Sequence, residues 1–180
     1  MIFLGLGCII IEDSKMDRER NFNFSQSSLF PIETTKTPLI LSIGYEKRKT
    51  DSFLNTLNEH QIQAVVDVRQ SAFSRRLDFR KNKLISLLSE NNIEYFHLRN
   101  AGNPHRNFTN DLKRCLEMYY DYISNESSLI EEIASDLNRI SRTYPRMAML
   151  CYEKCPTECH RTILINVLKE NDFECSVFEV

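Results

Sequence analysis

The sequence predicts one α/β domain, with a doubly wound, mostly parallel five-stranded sheet and helices on both of its faces. Five short runs rich in apolar and β-branched residues alternate with five segments of helical periodicity. The 180 residues are enough for one domain with a substantial core. Because strands that alternate with helices are joined by right-handed crossovers, helices should cover both faces, while the strand order stays open.

The predicted elements follow one another closely from Pro38 onward. Residues 39–43 form a first strand that ends at Gly44, and Thr50 or Asp51 caps the first helix. The other strands are predicted at residues 64–68, 93–98, 147–151 and 175–180, and the other helices at residues 81–91, 109–124, 127–142 and 160–170.

Residues 1–37 are predicted to be an N-terminal extension or surface arm, and residues 38–180 to be the domain. The first eleven residues, MIFLGLGCIII, are apolar but too short to span a bilayer. They lack a basic start and run directly into two acidic residues, which disfavours a signal peptide. An additional edge strand, or a true start at Met16, is favoured instead.

The bulk composition is that of a globular protein in a reducing compartment. The net charge is −2, so no global positive field attracts nucleic acid, although a local basic patch still could. Of the six cysteines, three lie within residues 151–159, a spacing that indicates free thiols and not a secreted disulfide framework. We therefore expect a cytoplasmic protein with no membrane partner, and the oligomeric state stays open.

Polar and reactive residues collect at the predicted ends of the strands. In an open parallel sheet, ligands bind beyond the carboxyl ends of the strands, so these residues should meet along one edge. They are Tyr45, Asp67, Arg69, Ser74, Arg75, His97, Arg99, Cys151, Glu153, Cys159, His160 and Arg161. This convergence predicts a functional site at that edge.

The segment from Cys159 to Arg161 is the centre of the predicted site. With Thr157 as the helix cap, Cys159 would lie in the first turn, where the helix dipole and free N–H groups lower a thiol pKa and favour anions. Arg161 adds a planar donor fork suited to phosphate. Structural roles stay open, because Cys159 could pack beneath the helix and His160 could hold a loop carbonyl.

Two more specific interpretations of the same segment are disfavoured. Cys155 and Arg161 have the spacing of a cysteine-dependent phosphatase loop, but the segment between them lacks the glycines with which such a loop wraps a phosphate. A zinc site of Cys151, Cys155, Cys159 and His160 would draw all of its ligands from one segment, whereas structural zinc sites usually draw them from two. We therefore expect no metal and no cofactor.

The residues after the first two strands also allow two interpretations. Asp67 and Arg69 either pair with each other, or they orient His160 or clamp an anion. Arg75 is as consistent with a solvated surface as with a phosphate contact. Tyr45 could stack on a base or sugar, although packing is the commoner role of an aromatic residue after a strand.

Four segments of the chain together resemble one protein family. They are SIGYEKRKTDSFLNTL, VVDVRQSAFSRRLDF, LISLLSENNIEYFHL and MLCYEKCPTECHRTILINVL. Their order and their Asp-Val-Arg, Ser-Arg and Cys-His-Arg motifs resemble the family called Domain of Unknown Function 488, over about residues 39–180. The resemblance implies a compact intracellular protein of a family whose activity is not established. It also implies that the family's signature positions are Gly44, Tyr45, Asp67, Arg69, Ser74, Arg75, Cys151, Glu153, Cys159, His160 and Arg161.

The sequence departs from the family pattern in two places. Ala72 and Phe73 stand where the family usually has a proline, and Asn100-Ala101-Gly102 replaces a usual Leu-Gly-Gly. Cys155 lies at a position that is not typically cysteine in the family, which further disfavours the phosphatase and zinc interpretations.

These observations lead to one functional hypothesis and two alternatives. We expect the protein to bind a phosphate-bearing ligand, a nucleotide or nucleic acid, with catalysis left open. The alternatives are a non-catalytic nucleic-acid-binding module and a cysteine-based sulfur- or thiol-transfer enzyme. In the main hypothesis the catalytic residues are Cys159, His160 and Asp67, and the substrate-binding residues are Tyr45, Arg69, Ser74, Arg75, Glu153 and Arg161.

Overall fold

The computed structural model of the chain describes residues 37–106 and 108–180. The interpretations of the N-terminal extension, including an edge strand or a start at Met16, fall outside these described residues. No helix in the described ranges is long and apolar enough to cross a membrane.

Within the described residues, five strands form one sheet in which neighbouring strands all run parallel. They are β1 (Leu39–Gly44), β2 (Ala64–Asp67), β3 (Glu94–His97), β4 (Arg146–Cys151) and β5 (Ser176–Glu179). Their order across the sheet is β3-β2-β4-β1-β5. The predicted fold class is confirmed, and β4 occupies the centre.

The α-helices of the described residues cover both faces of the sheet. They are α1 (Thr50–Glu59), α2 (Lys81–Ser89), α3 (Leu112–Ser124), α4 (Ser127–Thr143) and α5 (His160–Glu170). α1 and α2 pack on one face, and α3, α4 and α5 pack on the other. Each face therefore has its own apolar core.

Burial explains which strands lie inside the sheet. All four residues of β2 and five of the six residues of β4 are buried, because helices cover both faces of these strands. No residue of β3 or β5 is fully buried. The most buried strands are thus central and the more exposed strands form the edges, as expected for a parallel sheet.

The predicted starts of two helices need correction. α3 begins at Leu112 and not at residue 109, because the carboxylate of Asp111 accepts a backbone hydrogen bond from the first turn and caps the helix there. α1 follows Lys49, which makes no side-chain cap. Thr50 and Asp51, the predicted caps, therefore lie inside its first turn.

The predicted cap of α5 is also wrong. Pro156–Glu158 forms a separate 3-10 helix, so Thr157 lies before α5 and does not cap it. α5 begins at His160, and Cys159 is extended, with φ −125° and ψ 142°. This extended residue brings the start of α5 back to the end of β4.

The strand register aligns the carboxyl ends of the central strands at one edge of the sheet. Gly44 pairs with Cys151, and Asp67 pairs with Leu150 and with His97. Because these residues end their strands, the loops that follow them meet at the same edge, which is where the sequence predicts the site.

Candidate functional site

A pocket of about 580 Å³ opens above the carboxyl ends of β1, β2 and β4. Its floor includes Cys151, Glu153 and His160. Among the described residues, the basic side chains that line it are Lys47, Arg69, Arg75, Arg76 and Arg106. The pocket thus combines a floor of thiol, carboxylate and imidazole groups with a positively charged wall.

Four buried side chains form a compact cluster at the pocket floor, namely Cys151, Glu153, Cys159 and His160. Oε2 of Glu153 lies 3.1 Å from Sγ of Cys151 and 3.2 Å from Sγ of Cys159. Nδ1 of His160 lies 3.7 Å and 3.9 Å from the same two sulfur atoms. All four atoms lie within 4.8 Å of one another.

A backbone carbonyl group fixes the orientation of His160. Its Nε2 lies 2.9 Å from the carbonyl oxygen of Val68. Because a carbonyl oxygen can only accept, Nε2 carries a hydrogen and donates it. The ring of Tyr119 packs edge-on against the imidazole, with centroids 5.1 Å apart. Nδ1 is consequently held facing the two sulfur atoms.

The two thiols of the cluster differ in acidity. Burial raises the pKa of Cys159, and its hydrogen bond with Cys151 raises it further. Burial also acts to raise the pKa of Cys151, but the hydrogen bond with Cys159 and the charges of His160 and Arg161 outweigh burial and lower it. Burial and the nearby Cys151 raise the pKa of Glu153. Cys151 is therefore the thiol that loses its proton first.

Arg161 does not contact the pocket, contrary to the expectation that it binds an anion. Its side chain is fully buried, with an exposed fraction of 0%. Its guanidinium donates to the hydroxyl of Ser42 at 3.0 Å and to the carbonyl oxygens of Ile43 and Glu153 at 2.9 and 3.0 Å. Arg161 thereby fastens β1 and the loop after β4 to α5.

Asp67 and Arg69 form a buried ion pair, the first of their two predicted interpretations. Nε of Arg69 donates to Oδ1 of Asp67 at 2.8 Å, and Tyr95 donates its hydroxyl to Oδ2 at 2.6 Å. Arg69 also donates to the hydroxyl of Tyr45 at 3.0 Å. Asp67 therefore orients Arg69, whereas the carbonyl of Val68 orients the imidazole of the cluster.

Of the described residues that follow β2, Arg75 is the arginine whose side chain is free to face the pocket, in contrast to Arg76. Ser74 is buried, and its hydroxyl accepts a hydrogen bond from the backbone of Arg76 at 3.1 Å. The guanidinium of Arg76 donates to the carbonyl of Tyr45 at 2.6 Å and lies 4.5 Å from the ring centroid of Phe79. Arg75 is exposed and has neither a hydrogen bond nor an ion pair with any described residue.

Tyr45 has the packing role. Its ring stacks on Phe79, with centroids 4.2 Å apart, and the guanidinium of Arg69 lies 5.3 Å from its centroid. Only 3% of the residue is exposed. A base could not stack on this ring without displacing one of these neighbours.

Two features of the site escaped the sequence analysis. Arg106 forms an ion pair with Oε1 of Glu153 at the pocket mouth, and nothing in its local sequence marks it. Cys151 lines the pocket, whereas Cys159, the predicted nucleophile, lies beneath it. The position of Cys151 at the end of β4, at the ligand-binding edge, could have indicated that this cysteine lines the pocket. Cys155 is exposed and lies outside the cluster.

The chain matches the family described as Domain of unknown function DUF488 over residues 49–168. No curated protein and no solved structure matches it. The match spans α1 to α5 and includes every residue of the buried cluster. Since it extends over two thirds of the 180 residues, the chain belongs to the DUF488 family.

Proposed function

We propose that the pocket binds the phosphate groups of a nucleotide or of single-stranded nucleic acid. The observation that carries this proposal is Arg75, an exposed guanidinium on the pocket wall that no described residue engages. An uncommitted guanidinium can offer two parallel N–H donors to a phosphate without breaking an existing contact. Lys47, also exposed, adds a second positive charge to the pocket wall, where it pairs with Glu46 at 3.7 Å.

A groove next to the pocket favours single-stranded nucleic acid over a single nucleotide as the ligand. This groove, of about 940 Å³, shares Gln70, Ser71 and Phe73 with the pocket. Its exposed basic side chains are Arg80, Lys81, Lys83 and Arg99. Because the pocket and the groove share three residues, together they form one continuous basic surface, which suits a nucleic-acid strand.

Phe73 lies where the pocket and the groove meet. The residue is 64% exposed, and the guanidinium of Arg80 lies 5.0 Å from its ring centroid. Proteins that bind single strands without sequence preference combine a basic groove with exposed aromatic rings on which bases stack. Phe73 supplies such a ring, which Tyr45 does not.

The test is fluorescence anisotropy of a short labelled single-stranded oligonucleotide, with ATP and inorganic phosphate as unlabelled competitors. Arg75→Ala should weaken binding of all of these ligands by roughly tenfold, because one charge-assisted hydrogen-bond donor is lost. Arg142→Ala is the matched control, since Arg142 is an exposed arginine of α4 that does not line the pocket.

Lys81→Ala separates the two ligand sizes. This lysine lines the groove and not the pocket, so its loss should weaken oligonucleotide binding and leave ATP binding unchanged. Equal affinities of Arg75→Ala and Arg142→Ala would refute the proposal. The proposal would also be refuted if the wild-type protein bound none of the three ligands, namely the oligonucleotide, ATP and inorganic phosphate.

A further inference from the structure

We propose that Cys151, Glu153, Cys159 and His160 form a zinc site with two sulfur ligands, one nitrogen ligand and one oxygen ligand. The inference is independent of the proposed phosphate-bearing ligand. It differs from the zinc interpretation of the sequence, in which Cys155 was the remaining ligand. Cys155 is exposed, and Glu153 takes its place in the cluster.

The sulfur–nitrogen distances in the cluster are those of a tetrahedral zinc site. Typical zinc–sulfur, zinc–nitrogen and zinc–oxygen bond lengths imply about 3.3–3.8 Å between the ligand atoms of a tetrahedron, and about 3.6 Å between a sulfur atom and a nitrogen or oxygen atom. The sulfur–nitrogen distances to His160 are 3.7 and 3.9 Å. The sulfur–oxygen distances to Glu153 are 3.1 and 3.2 Å, lengths set by thiol–carboxylate hydrogen bonds that zinc would replace.

The ligands come from two different elements, which answers the objection raised by the sequence. Cys151 ends β4, and Glu153 lies in the loop that follows it. Cys159 precedes α5, and His160 opens it. The 3-10 helix Pro156–Glu158 turns the chain between these two pairs. The four ligands are thus two pairs, from the end of β4 and the start of α5, that the fold brings together.

The groups around the cluster hold two of the ligands in the form that zinc requires. Nε2 of His160 donates to the carbonyl of Val68, the usual support for a zinc-bound histidine, and directs Nδ1 at the cluster. Oε1 of Glu153 pairs with Arg106, which leaves Oε2 directed at the two sulfur atoms. Both ligands are therefore oriented before a metal binds.

The charge of Arg161 provides a second, independent observation. This guanidinium is fully buried, yet its hydrogen-bond partners among the described residues are a hydroxyl and two carbonyls, all uncharged. A buried charge is costly unless an opposite charge lies close to it. Two thiolates and Glu153 with one Zn²⁺ carry a net charge of −1, which Arg161 and the Arg106 that pairs with Glu153 would share.

The first test measures metal in the full-length, reduced protein. After treatment with a chelator, the protein should take up one Zn²⁺ per chain in competition with a chromogenic chelator. With Co²⁺ in place of zinc, it should show sulfur-to-cobalt charge-transfer absorption and the intense visible bands of tetrahedral coordination. No uptake of zinc by the reduced protein, or cobalt binding without charge-transfer absorption, would overturn the proposal.

Ligand variants identify the residues. Cys151→Ser and Cys159→Ser should each weaken zinc binding by more than the roughly 10–100-fold that loss of a supporting hydrogen bond costs. Cys155→Ser is the matched control, because this thiol is exposed and outside the cluster, and it should bind zinc as the wild type does. Equal losses in all three variants would contradict the assignment.

Alkylation of the wild-type protein avoids the folding problems that buried variants can have. Zinc should slow alkylation of Cys151 and Cys159, mapped by mass spectrometry of peptides, relative to the chelator-treated protein. The rate at Cys155 should not change, since it lies outside the cluster. Identical labelling of the two buried thiols with and without zinc would reject the site whatever the variants do.

Discussion

The buried carboxylate of Asp67 organises one side of the pocket. Its two oxygens accept from the guanidinium and the backbone N–H of Arg69 and from the hydroxyl of Tyr95. With its side chain fully buried, this charge is tolerable only because it is paired and hydrogen-bonded. Arg69 is held by the same contacts, so it forms a fixed part of the pocket wall.

Asp67→Asn should lower the free energy of unfolding by about 3–5 kcal/mol, because it leaves the buried guanidinium of Arg69 without its counter-charge. Tyr95→Phe removes one hydrogen bond to the same carboxylate and should cost about 1.5–3 kcal/mol. Urea denaturation measures both values.

Tyr120→Phe is the control for these variants. Tyr120 is 48% exposed, and its hydroxyl has no partner among the described residues. Its substitution should change the free energy of unfolding by less than about 0.5 kcal/mol. A cost for Asp67→Asn no larger than this would mean that the ion pair does not stabilise the fold.

The sequence predicted where the reactive residues meet but not what each of them contacts. Placement at the end of a strand is a local property, because it can be predicted from the periodicity of apolar residues and from the residues that end the strand. The hydrogen-bond partners of Arg161 at Ser42 and Ile43 lie 119 and 118 residues away along the chain. No local pattern reports such a distance, so a structural arginine was taken for an anion ligand.

Two glycines allow the loops around the site to approach one another closely. A Cβ atom on Gly44 would overlap the carbonyl group of Glu153, and one on Gly102 would overlap the backbone of Gln70. The end of β1 therefore packs directly against the loop that carries one member of the buried cluster. The sequence showed Gly44 as the residue that ends a strand and as a signature position of the family, but not what it contacts.

Gly44→Ala should destabilise the protein by about 1–3 kcal/mol or more, because the added methyl group meets backbone atoms that have little room to move. Thermal unfolding by circular dichroism measures the change. Since the displaced segment includes Glu153, the same variant should also bind zinc more weakly. A variant with wild-type unfolding temperature would show that the two loops can separate at no cost.

Charge is distributed unevenly over the chain as a whole. The net charge is −2, yet the pocket and its neighbouring groove gather eight exposed or half-exposed basic side chains when the buried Arg69 is set aside. These side chains are Lys47, Arg75, Arg76, Arg80, Lys81, Lys83, Arg99 and Arg106. The net charge does not reveal this patch because it sums over the whole chain, whereas five of these side chains lie within residues 75–83, where Asp78 is the one acidic residue.

Oligonucleotide binding should therefore weaken steeply with salt. The logarithm of the affinity should fall linearly with the logarithm of salt concentration, with a slope of about −0.7 for each phosphate contacted. The slope should be steeper for the oligonucleotide than for ATP, and Lys81→Ala should make it shallower by about 0.7. Anisotropy titrations at several salt concentrations measure it. An affinity independent of salt would contradict a basic track.

The central position of β4 governs how this chain can fold as it leaves the ribosome. β1 and β2 are synthesised early, but they do not pair with each other. Each of them pairs with β4, which lies between them in the sheet. More than two thirds of the chain must be synthesised before that strand emerges. Until then two apolar strand edges stay open, and contacts so distant along the chain slow folding. Before β4 is synthesised, the nascent protein therefore exposes apolar strand edges that chaperones can bind and that favour aggregation.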